Sequence, residues 1–106
     1  TNLPIPLGVD LVNRKFDYST RKDLTDVFFR SVKYAIDNED EALKYAMTYG
    51  RDLTLEEARK FVRMYVNKDT LDMGEEGHKA IISLFNFAKE KGIISAVPEI
   101  DLIFPH

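Results

Sequence analysis

Residues 3–16 read LPIPLGVDLVNRKF, and the class of the fold turns on whether they form a strand. Pro4 and Pro6 favour extended backbone at and just before their own positions. The run Leu7–Phe16 that follows is apolar and β-branched at its centre, which predicts a strand. Asp17 to Thr20 breaks it. Near the other end, Glu99, Ile100, Asp101 and Leu102 alternate after Pro98, and a short edge strand is predicted over 97–104. Two strands alone make a poor sheet, since a small sheet needs a third strand or a helical cover. They pair either with each other or with strands outside this chain. The second arrangement is expected, because the first strand opens almost at residue 1.

Between these segments the periodicity is helical, and four helices are predicted over 20–92. Thr20 with Asp23 resembles a capping box, leading a stripe of Leu24, Val27, Phe28, Val32, Ala35 and Ile36 that ends near Asp37–Asn38. Asn38 with Glu41 opens the next helix, with Ala42, Tyr45, Ala46 and Tyr49 inward and a stop at Gly50. Thr54 with Glu57 is the cleanest capping box, and its helix turns Leu55, Ala58, Phe61, Val62 and Tyr65 inward. Asp72 with Glu75 caps the last helix, whose stripe is Ala80, Ile81, Leu84, Phe85 and Ala88 and whose end is Lys89, Lys91 and Gly92. The element order is strand, four helices, strand.

Composition bounds the function. The chain has 106 residues, 44% of them hydrophobic and 11% aromatic, which is one domain or a part of one. A net charge of −3 argues against nucleic acid as a partner, since phosphate binding needs a basic surface. Absence of cysteine removes thiolate catalysis, disulfides and cysteine-type zinc sites, and suits a cytoplasmic setting. No apolar run reaches the ~18 residues of a membrane span, so no membrane role is expected. The opening TNLPIPLGVD lacks an initiator Met and a secretion signal, and a truncated N-terminus is expected.

The chemistry-bearing residues cluster in MYVNKDTLDMGEEGHKAI, residues 64–81. As a calcium loop counted from Asn67 it fails: Leu71, Asp72 and His78 stand where an oxygen ligand, a glycine and a glutamate are needed. As a zinc helix it lacks a second histidine at i+4. No metal and no cofactor is expected. Gly74 and Gly77 open a helix, but Glu75 and Glu76 would repel a phosphate there, so the glycines are read as room for a tight entry or close packing. His78 lacks a recognisable dyad partner in sequence, and His106 is terminal. Arg14, Lys15, Arg21 and Lys22 read, with Glu39, Asp40 and Glu41, as a mixed solvated surface. The aromatics Tyr34, Tyr45, Tyr49, Phe61, Tyr65, Phe85 and Phe87 are expected in the core, with one or two tyrosines at most facing a ligand.

Two segments carry a family resemblance. LPIPLGVDLVNRKF resembles the LPLPLG–strand–basic signature in the second half of the 1,4-dihydroxy-6-naphthoate synthases of the futalosine route to menaquinone. EALKYAMTYGRDLTLEEARKFVRMYVNKDTLDMGEEGHKAI resembles a later part of the same family, and the likeness runs from Leu3 to about Ile94. The related chorismate dehydratases, and the more distant solute-binding proteins, share the fold and much of the helical pattern, and LPIPLG favours the naphthoate synthase branch. The resemblance implies an α/β fold of the type 2 periplasmic-binding-protein kind, two lobes with a ligand cleft between them. This chain would then be a single C-terminal segment, 1–106, with 3–16 as the crossover strand. Its partners would be a missing N-terminal lobe and a small-molecule substrate, and its open strand edge would allow a homodimer through strand pairing.

The implied reaction is lyase-type: it opens cyclic dehypoxanthine futalosine and releases dihydroxynaphthoate without a metal or redox cofactor. The family's histidine base lies in a segment this chain does not contain, and His78 does not match it. No catalytic residue carries over, and the fragment is expected to be inactive alone. Substrate-binding positions that carry over are Pro6, Leu7 and Gly8 at the crossover, and Asn67 and Thr70, which either face the cleft or only shape a turn. Two other readings stay open: a fragment of a solute-binding protein or chorismate dehydratase relative that holds a small carboxylate, and a non-catalytic helical interaction module.

Overall fold

In the computed structural model, which describes residues 2–50 and 52–105, every regular element is a helix: α1 (Tyr18–Asp37), α2 (Glu39–Met47), α3 (Leu55–Tyr65), α4 (Lys68–Leu71) and α5 (Gly74–Glu90). The expected α/β periplasmic-binding-protein fold is therefore corrected. Among the described residues there is no strand and no sheet. Neither 3–16 nor 97–104 finds a ladder partner. Pro4 and Pro6 bring no N–H to one, and Leu7, Val9 and Leu11 stay exposed, Leu11 at 90%. What joins the two segments is a side chain: Arg14 Nη2 donates to the Glu99 carbonyl at 2.9 Å. Arg14 and Arg21 both lie 3.7 Å from the Asp101 carboxylate, so the basic cluster pairs with the tail and not with Glu39–Glu41.

The helix ends follow from local chemistry, with shifts from the expected caps. α1 starts at Tyr18 because Asp17, not Thr20, is its cap: Asp17 Oδ1 accepts from the Thr20 N–H at 2.7 Å. That bond holds the Asp17 carboxyl below its usual range. Asn38 closes α1 and does not cap α2 through its side chain, since its backbone N–H and Nδ2 both donate to the Tyr34 carbonyl. Thr54 Oγ1 accepts from the Glu57 N–H at 3.2 Å, as its capping sequence predicts. The last predicted helix starts at Gly74 behind Met73 with no side-chain cap bond, not at an Asp72–Glu75 box, and α4 before it is a short helix that the four-helix prediction lacked.

The core is small: Leu43, Ala58, Ala80 and Ile81 are buried. Ala58, Ala80 and Ile81 lie on the predicted stripes. Leu43 does not, because α2 is rotated so that Glu39, Leu43 and Met47 share its inner side while Tyr45, Ala46 and Tyr49 are exposed. α1 buries no residue in its 20. The aromatics expected in the core are mostly outside it: Tyr34, Tyr45, Tyr49, Phe61, Tyr65 and Phe87 are all exposed, and only Phe85 is half-buried. The radius of gyration is 16.3 Å, against about 13 Å for a close-packed domain of this length. This is a loose helical assembly with much apolar surface facing outward.

Candidate functional site

The turn from α3 into α5 organises the region where the titratable residues gather. α3 ends at Tyr65, and Asn67 then makes a dense local set of bonds. Its Oδ1 accepts from Asp69 N–H at 2.9 Å, its Nδ2 donates to the Arg63 carbonyl at 2.9 Å, and its own N–H donates to Thr70 Oγ1 at 3.1 Å. Thr70 Oγ1 in turn donates to the Tyr65 carbonyl at 3.0 Å. These bonds tie both ends of α4 to α3, so the polar atoms of Asn67 and Thr70 are engaged within residues 63–70. Pro6 is half-buried, while Leu7 and Gly8 are exposed and a Cβ on Gly8 would meet open space.

The entry to α5 uses its two glycines differently. Gly74 has φ +66°, a left-handed turn that a side chain would strain, and its N–H donates to Asp72 Oδ1 at 2.9 Å. At Gly77 a Cβ would stand 2.7 Å from Met73 Cβ, so the helix passes against its own entry turn. Tight entry and close packing, the two roles read from sequence, are both present. Around this entry Asp72, Met73, Gly74, Glu75, His78, Leu102 and Phe104 line a concavity of about 340 Å³. Its walls are a thioether, an aromatic ring and an aliphatic chain with polar groups at the rim. Glu75 reaches outward to Lys79 at 3.1 Å. Among the described residues no three His, Asp or Glu side chains gather to hold a metal ion, and no helix is long and apolar enough to cross a membrane. His106 lies outside the described residues.

A second charged centre, not read from the sequence, joins α2 to α3. Arg63 forks onto Glu39, Nε to Oε2 at 2.9 Å and Nη2 to Oε1 at 2.7 Å. Arg59 bonds Glu39 as well, and its Nη2 donates to Asp40 at 2.7 Å. The hydrogen bonds from Arg63 first, and from Arg59 next, hold the Glu39 carboxyl down to about 2. Asp40 and then Glu39 hold Arg59 above its ordinary value. The signal was available: two arginines four apart on one helix, and three consecutive acids opening the helix before it. This centre pins α2 on α3 and is a structural clamp; its groups are already paired with one another.

Comparison with known proteins places the chain. A family model described as menaquinone biosynthesis matches residues 1–90, and the chain belongs to that family. Two curated relatives carry the name 1,4-dihydroxy-6-naphtoate synthase. The one from Thermus thermophilus is 37% identical over 98 residues, 92% of this chain and 36% of its own length. The one from Streptomyces coelicolor is 32% identical over 105 residues, 99% of this chain and 37% of its own. The chain thus spans little more than a third of these relatives. Among solved structures, protein AF1704 from Archaeoglobus fulgidus is similar at a TM-score of 0.73 and 37% identity, over 76% of this chain and 31% of that one. The resemblance drawn from residues 3–16 and 41–81 is borne out at the level of family.

Proposed function

We propose that this chain is part of a 1,4-dihydroxy-6-naphthoate synthase, the enzyme that converts cyclic dehypoxanthine futalosine to dihydroxynaphthoate on the way to menaquinone. The observation that carries the reading is the likeness to both naphthoate synthases across 92% and 99% of the chain. Its polar residues support a contributory role: the clamp acids are paired with arginine, and Asn67 and Thr70 are spent on the α3–α4 turn. The base that starts the reaction then comes from polypeptide outside these residues, and the chain alone is inactive. The exposed Leu7 and Gly8, with the half-buried Pro6 beside them, would stand at the substrate.

The test is a chimera in which this chain replaces the matching region of the Thermus thermophilus relative. Given cyclic dehypoxanthine futalosine, the chimera is expected to release dihydroxynaphthoate, and the chain alone to release none. A folded chimera without product would overturn the reading. Product from the chain alone would show that its own residues carry the chemistry.

A further inference from the structure

The exposed area is too large for a molecule that stands by itself. A folded monomer of 12.2 kDa exposes about 6,100 Å² by the area–mass relation, whereas this chain exposes 8563 Å². The excess, about 2,500 Å², is roughly three times the ~800 Å² that one partner contributes to an ordinary protein interface. It falls in the class of obligate contacts.

Its most regular part is on α1. Leu24, Val27, Phe28 and Tyr34 follow one another at helical spacing, and they are 44%, 56%, 40% and 58% exposed. The neighbouring side of the same helix, through Phe29, Val32 and Ile36, is half-buried against the rest of the chain. The two sets make one apolar arc, of which the rest of the chain covers only the Phe29–Val32–Ile36 part and leaves the other part open. The excess area is also spread over further helices, with Phe61 and Tyr65 on α3 and Phe87 on α5 exposed. Polypeptide of a matching scale exists in the relatives, since close to two thirds of their length lies outside the region this chain matches.

We infer that the Leu24–Val27–Phe28–Tyr34 face of α1 is the seat of the polypeptide that makes up the rest of the naphthoate synthases' length, of which this chain spans 36–37%. This rests on the functional reading above, and it adds which helix face takes the contact. The contact is apolar and heterologous.

The test co-produces this chain with the part of the Thermus thermophilus relative lying outside the matched region, and follows association by sedimentation velocity. A one-to-one complex is expected, weakened at least tenfold by Phe28→Asp and severalfold by Phe28→Ala, with circular dichroism confirming that both variants keep their helices. Absence of a complex, or a complex indifferent to both substitutions, would overturn the inference. So would a dimer of the chain alone that Phe28→Asp disperses, since the seat would then belong to a second copy. Because association is read without turnover, a complex that releases no naphthoate defeats the enzyme reading and leaves the docking face standing.

Discussion

Gly77 shows how one missing methyl sets an element in place. The 2.7 Å approach to Met73 Cβ leaves no room for a side chain, although the position lies inside α5 where alanine is otherwise the better helix former by about 1 kcal/mol. Overpacking costs about 1–3 kcal/mol, so the clash is expected to outweigh the propensity gain. Gly77→Ala should lower stability by about 1 kcal/mol, read as a lower urea midpoint. An unchanged or raised midpoint would show that the Met73 turn yields. The role of this glycine was legible in sequence, since GEEGH at a helix start asks for small residues. The bonds of Asn67 and Thr70 were legible only as one of two alternatives, because nothing in sequence says whether an amide turns inward to its own turn or outward.

At the scale of elements, the α2–α3 clamp makes a pH prediction. Glu39's carboxyl is held at about 2, below the 4.5 of an unpaired glutamate. A depressed value means the folded state prefers the charged form, so this support is full above about 4.5 and is lost as pH falls toward about 2. Thermal melts by circular dichroism should show an acid-side fall in stability over that window, and Glu39→Gln should flatten it. A fall of equal steepness in the variant would place the acid sensitivity elsewhere. Helix existence was readable from apolar spacing and caps such as Thr54–Glu57. The rotation of α2 was not: Ala42, Tyr45 and Ala46 form as good a stripe as Leu43 and Met47, and the choice is made by arginines 20 and 24 residues away. The strand prediction for 3–16 failed for a related reason. Local β preference at Val9, Leu11 and Val12 needs a neighbouring ladder, and the described residues supply none.

For the molecule as a whole, the bond from Arg14 to Glu99 joins residues 85 apart in the chain. Closing a flexible loop of that length costs about 4 kcal/mol of chain entropy, while a typical hydrogen bond returns a net of only about 1 kcal/mol. Such a bond cannot drive folding; it forms after the helices have assembled and shortened the path between its ends. Its consequence is therefore kinetic. Arg14→Ala should leave the refolding rate of this chain nearly unchanged and speed its unfolding, so that in stopped-flow measurements only the unfolding limb moves. A slowed refolding limb would instead make the meeting of the two end segments an early event. On the late-closing picture, Arg14 acts as a latch on the finished helices, governing how long the end segments stay together once they have met.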